Sequence, residues 1–276
     1  MSHRCIFCRQ LLGVTKSDEH IFPVWLQKHY GWSDDWVYPT HFDATGKVVS
    51  TRQHRMKNLV AGRVCSACNS GWMSALESAG RPLILSLARG DRHVLDLTEA
   101  EAFLLTRWTV KTCVCLHLSS NYRPIIPESH IGMLDQDTCK LPERVFVVAH
   151  SFEPHDGFSW VQSPSWIITQ TSRRFSSYAN RLLRKSGYKI SVMIGGLILM
   201  VAHIPLTYGY PVLWMHRHVP LYPRSGPVVW QFSKTPWPSA PLPRQFAFHA
   251  MYGFATARAP TDLKRMETEN PSDSIQ

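Results

Sequence analysis

Four cysteines open the reading. They form two C-x-x-C pairs, Cys5 with Cys8 and Cys65 with Cys68. Each pair bends its backbone into a knuckle whose two sulfurs can meet one ion, and two such pairs read as one tetrahedral Zn²⁺ site. Metal closure of the long intervening loop would limit the freedom of the unfolded chain. The competing reading is a redox dithiol, which usually opens a helix after a strand and needs no second pair. Cys113 and Cys115 lie in an apolar stretch and are expected as buried packing residues. Cys139 likewise has no partner spacing.

Between the pairs stand further groups able to do chemistry. Ser17-Asp18-Glu19-His20-Ile21-Phe22-Pro23 puts a carboxylate beside an imidazole. A histidine titrates near neutral pH and suits general-base work. Lys57-Asn58-Leu59-Val60 leads into the second knuckle, and Asn69 follows it directly at an expected helix start. Asn69 also reads simply as an N-cap. Glu19 reads equally as a carboxylate near the N-terminus of the next helix. Arg52, Arg55, Lys57 and Arg63 are the basic residues nearest these groups and the best candidates for phosphate contacts. Glu77 is expected as a surface carboxylate. Trp25, Trp72, Met73 and Leu76 are expected as packing.

The order C-x-x-C, Glu-His-Ile-x-Pro, Asn-Leu-Val, C-x-x-C-Asn resembles the HNH endonucleases that carry a zinc-binding cysteine frame. The resemblance covers about residues 5 to 80. It implies a ββα-metal module that hydrolyses phosphodiester bonds. It implies His20 as general base, Asn58 as the residue orienting it, and Glu19 with Asn69 as ligands of a catalytic Mg²⁺ or Mn²⁺. Such an ion would stabilise charge on the phosphorus and the leaving oxygen. The implied partner is nucleic acid, DNA before RNA. The alternative is a zinc-stabilised nucleic-acid- or protein-binding module whose HNH site is degenerate. A toxin or phage-defence effector is compatible with the resemblance, but no residue demands it.

The rest of the chain must position this module. A short helix is expected over Val24 to Tyr30, ended by Gly31. A second is expected over Arg81 to Ala88, with Gly90 beyond it. Thr98 and Glu101 form a capping box that starts a helix running to about Leu118. That helix is apolar on most faces apart from Arg107, Lys111 and His117, and should be largely buried. Strands are expected at Val145 to Ala149, at Trp166 to Thr169, and on both sides of Gly195-Gly196. The fold class is α+β. The expected divisions are an HNH-like module over 1–95, an antiparallel-sheet domain over 96–260 and a disordered tail over 261–276.

Composition agrees with a globular protein that meets polyanions. The hydrophobic share is 44% and the formal charge +10. Between 173 and 189 lie Arg173, Arg174, Arg181, Arg184, Lys185 and Lys189 without an acid, either a phosphate-tracking patch or a solvated face. The N-terminus is polar, and the longest apolar run, Val192 to Ala202, is broken by glycines. No membrane span is expected, and the reduced thiols suggest the cytoplasm.

Overall fold

A computed structural model describes residues 4–13, 16–42, 48–119, 125–131, 141–163, 187–203, 211–213, 219–222 and 255–257. The expected strand at 166–169, Cys139, most of the 173–189 basic run and the 261–276 tail lie outside these residues. The chain forms two compact units. One comprises residues 1–81 and 110–141, the other 82–109 and 142–276. The expected boundary near residue 95 therefore gives way to an interleaved division. The chain changes unit inside each of two long helices, at 81/82 and at 109/110, and again at 141/142.

The first unit begins with a knuckle at Cys5–Cys8, in which the Arg9 N–H donates to the Cys5 carbonyl at 3.0 Å. Strand β1 (Lys16–His20) follows, then helix α1 (Val24–Tyr30). Pro23, fixed in φ, precedes α1, and Gly31 ends it in the left-handed conformation at φ 74°. Short strands β2 (Trp36–Val37), β3 (Thr40–Phe42), β4 (Val48–Thr51) and β5 (His54–Arg55) make two small ribbons, β2 with β5 and β3 with β4. Strand β6 (Val60–Cys65) pairs antiparallel with β1, joining Lys16 to Cys65 and His20 to Val60. Ser17 faces Val64 and Glu19 faces Ala61, so β6 carries one extra residue in a bulge. The core here includes Ile6, Ile21, Phe22, Leu26, Met56, Val64 and Met73.

After β6 come a single helical turn α2 (Ser66–Cys68), a wider π-type segment (Asn69–Met73) and α3 (Ser74–Ala88). Gly71 breaks the helical path inside the π segment, with ψ −112°. The separate helix expected from Arg81 is instead the second half of α3, which runs straight through Pro82. Proline there removes one backbone hydrogen bond, to Ser78, and burial of Leu76 before it and of Leu83, Ile84 and Leu87 after it holds the helix on both sides of the gap.

Helix α4 (Glu99–Ser119) starts from the capping box. The Glu101 N–H donates to the Thr98 hydroxyl at 3.3 Å, and the Thr98 N–H donates to the Glu101 carboxylate at 2.9 Å. From Leu105 to His117 only Arg107 escapes full burial. A short helix α5 (Glu128–Ile131) completes the first unit's elements. The second unit holds an antiparallel sheet of β7 (Val145–Ser151), β8 (Phe158–Ser163), β9 (Tyr188–Ile194), β10 (Leu197–His203) and, after β11 (Pro211–Leu213), β12 (Val219–Tyr222). The strand order is β12-β7-β10-β9-β8. Strand β11 pairs separately with β13 (Ala255–Ala257). Every residue of β7, β9 and β10 is buried, which explains why these strands read as near-continuous apolar runs. The architecture is α+β. Among the described residues no helix is long and apolar enough to cross a membrane.

Candidate functional site

The cysteine frame forms. The thiols of Cys5, Cys8, Cys65 and Cys68 all lie within 4.8 Å of one another. Cys8 and Cys65 stand 3.6 Å apart, and Cys5 and Cys68 3.9 Å. A tetrahedral ion with sulfur bonds of about 2.3 Å requires sulfurs about 3.8 Å apart. The four residues can therefore hold one metal ion, and the set is compatible with zinc.

Local structure delivers them. The Ile6 N–H donates to the Arg63 carbonyl at 3.0 Å, pinning the first knuckle to the strand that ends in the second. The Cys68 N–H donates to the Cys65 sulfur at 3.4 Å, the bond that turns a C-x-x-C into a knuckle. Burial opposes the Cys5 thiolate, but backbone N–H donors of Cys8, Cys65 and Phe7 outweigh it and bring the thiol down to about 7. Burial pushes the Cys68 and Cys8 thiols up. A bound cation would deprotonate all four.

Asn69 is drawn against β1. Its side-chain amide donates to the Ser17 hydroxyl at 2.7 Å. Ser17 and Glu19 are two apart on the strand and share its inner face, where Ser17 is half-buried and Glu19 buried. The start of the helical segment and the carboxylate at 19 thus meet one side of β1. His20 is the last residue of that strand and is half-exposed. It pairs with Val60 directly after the Glu19–Ala61 pair, so the strand turns it to the face opposite Glu19. Asn58 lies in a 3-10 turn (Met56–Asn58) and is exposed. It makes no hydrogen bond to another described side chain, and nothing here ties it to His20.

Glu19 is also committed elsewhere. Its carboxylate forms a buried ion pair with Lys111 of α4, and the same ammonium stands 2.5 Å from Glu77 of α3. Glu77 is thus no surface carboxylate; its side chain is 17% exposed. Burial raises the Glu77 carboxyl above the usual range, although Lys111 pulls the other way. Burial opposes the charge on Lys111 as well, yet the neighbouring Cys115, Glu77 and Glu19 outweigh it and hold the ammonium above the usual lysine range. The Cys115 thiol, fully enclosed beside them, is pushed up to about 12. Sequence reasoning missed this triad. Its signal was Lys111 itself, a lone cation in an apolar helix that must find a carboxylate.

A catalytic divalent ion would therefore meet a mixed set of donors. Asn69 has a carbonyl oxygen to offer, and Glu19 a second carboxylate oxygen beyond the one on Lys111. Oxygen donors of that kind suit Mg²⁺ or Mn²⁺. Lys111 already offsets the charge of Glu19, so such an ion would be held weakly and keep most of its waters.

Three of the four expected phosphate contacts are partly engaged within the unit. Lys57 pairs with Asp34 at 2.7 Å. Arg55 donates to the Asp34 carbonyl and lies 3.8 Å over the Trp36 ring. Arg63 pairs with Glu128 at 3.2 Å, which Arg9 also reaches at 3.3 Å. Arg52 is exposed without an ion-pair partner among the described residues.

Comparison with protein-family models, with curated proteins and with solved structures finds no match to this chain. The functional reading rests on this geometry and on the motif order.

Proposed function

We propose that the first unit is a zinc-stapled, HNH-type endonuclease that hydrolyses phosphodiester bonds in nucleic acid, DNA before RNA. The Asn69–Ser17 hydrogen bond carries this reading. It sets the amide that follows the second knuckle on the face of β1 that also bears Glu19, on the strand that ends in His20. Four thiolates and no other donor suit a structural Zn²⁺. In this reading His20 takes the proton from an attacking water, Asn69 and Glu19 face the scissile phosphate, and Lys111 fixes the Glu19 rotamer from behind. A Mg²⁺ or Mn²⁺ ion bound there would supply charge stabilisation on the phosphoryl and leaving oxygens.

The Glu19–Lys111 ion pair favours a second reading, a zinc-stabilised nucleic-acid-binding module with an inactive site. Plasmid and single-stranded DNA, incubated with Mg²⁺ or Mn²⁺, separate the two. The nuclease reading expects cleavage by the wild type and a loss of about 100-fold or more in His20→Ala. Equal cleavage by both would remove His20 from the chemistry. Salt-dependent binding without cleavage under either ion would select the second reading.

A further inference from the structure

A cavity of about 440 Å³ opens on the first unit, lined by Val24, Trp25, Lys28, His29 and Arg81. Helix α1 supplies four of these in two i, i+4 pairs, Val24 with Lys28 and Trp25 with His29, so each pair sets a basic residue one turn beyond an apolar one on the same side. Arg81 of α3 supplies the opposite wall, its guanidinium 5.9 Å from the Trp25 ring centroid. The lining contains no carboxylate. Lys28 and Arg81 are exposed, and neither makes an ion pair with another described residue, whereas Lys57 and Arg63 are each answered by an acid. The volume falls in the range of small-ligand sites.

Two cations whose charge is unanswered, a histidine and an indole face around one concave space match a phosphate with a flat, polarisable group attached. We propose that this cavity is a subsite for one nucleotide unit of a nucleic-acid strand, with Lys28 and Arg81 on the phosphate and Trp25 beside the base. The inference rests on the proposal that the unit acts on nucleic acid, and it adds where the strand is gripped. The Trp25 ring favours a single-stranded segment, whose bases are free to stack; stacking of this kind tolerates any base. Helix α1 begins four residues after His20, so the grip lies close in sequence to the candidate base.

Fluorescence anisotropy of the full chain tests this, with a short fluorescein-labelled single-stranded DNA, a KCl series and no added Mg²⁺ or Mn²⁺. The wild type should bind with a steep salt dependence. Lys28→Gln with Arg81→Gln should lower the slope of log K against log salt by about 0.7, the amount for one phosphate on a single strand. Lys28→Arg with Arg81→Lys should restore most of it. Trp25→Leu should weaken binding about tenfold with the slope unchanged. Zinc content equal to wild type serves as the folding control. An unchanged slope in the double Gln variant overturns this inference and leaves the nuclease reading standing. Wild-type protein that does not bind the DNA also overturns this inference, and cleavage of plasmid DNA with Mg²⁺ or Mn²⁺ then decides the nuclease reading separately. Displacement of the DNA by polyglutamate as readily as by unlabelled DNA also overturns the inference, because the cavity would then take any polyanion.

Discussion

Lys111 and Glu19 form a buried ion pair, with side chains 1% and 7% exposed, and Glu77 closes on the same ammonium. Three elements meet at this pair, β1, the first half of α3 and the second half of α4, all in the first unit. Removing the cation would leave two carboxylates facing each other in a largely buried space. Breaking a buried pair by deleting one partner costs about 3–5 kcal/mol. Lys111→Met should therefore lower stability in urea by that order, and adding Glu19→Gln should recover part of the loss. A Lys111→Met chain within about 1 kcal/mol of the wild type would show that the triad contributes little.

The thiol frame gives a second expectation. Purified protein should carry about one zinc per chain, and Cys65→Ser or Cys68→Ser should lose it. Chelation should then unfold the first unit, since the knuckles hold β1 and β6 to the following helical segment. Elemental analysis and circular dichroism with added chelator check this together. A chelated chain with unchanged ellipticity and an unchanged thermal midpoint would deny the metal a structural role.

Local spacing explains what was readable beforehand. Gly31 ends α1 because only a residue at ease with positive φ closes a helix that way. Thr98 and Glu101 start α4 because they satisfy each other's backbone N–H groups. The cysteine pairs announce themselves because a knuckle is a four-residue object. Lys111, Glu19 and Glu77 did not, since their meeting depends on how α4 lies against β1 and α3. The presence of a lysine among apolar residues required some carboxylate, but its identity is a property of the packed unit. The continuity of α3 through Pro82 was hidden for a related reason. Local preference argues for a break, and burial of the flanking leucines and isoleucine overrides it. Arg63 and Lys57 read as phosphate contacts because Glu128 and Asp34 are their partners only in the folded chain.

Acid should weaken the first unit partly through His117. Burial, with a smaller push from Arg63, depresses this imidazole from an ordinary 6.5 to about 4. Above pH 6.5 it is neutral whether the chain is folded or not. Between 6.5 and 4 the unfolded chain takes up a proton that the folded chain refuses, so stability falls as pH falls. Below about 4 both states are protonated and the decline from this group stops. The window is worth at most about 3 kcal/mol. His117→Gln keeps an acceptor for the Ile125 N–H, which His117 Nδ1 now receives at 3.4 Å, and cannot titrate. The difference in urea midpoint between wild type and His117→Gln should shrink steadily from pH 7 to pH 4. A difference that stays constant over that range would remove His117 as a source of acid sensitivity.

The β9–β10 turn yields an expectation for the second unit. Ile194 pairs with Leu197, so Gly195 and Gly196 alone make the connection. Gly195 takes φ 54°, where a side chain is strained. Gly196 is constrained differently, by contact: a Cβ there would stand 2.6 Å from the Phe152 carbonyl oxygen and 3.3 Å from that of Ala88. Those two carbonyls are close because Gly196 bonds to both residues. Its N–H donates to the Ala88 carbonyl at 2.7 Å, and its own carbonyl accepts from the Phe152 N–H at 2.6 Å. A methyl group cannot enter without lengthening both bonds, and backbone atoms give way less readily than a flexible side chain. Gly196→Ala should therefore lower stability more than Gly195→Ala, by roughly 2 kcal/mol or more against about 1 kcal/mol. Matched urea titrations of the two variants decide it. The reverse order, or a neutral Gly196→Ala, would mean that the turn stands farther from Phe152 and Ala88 than these contacts require.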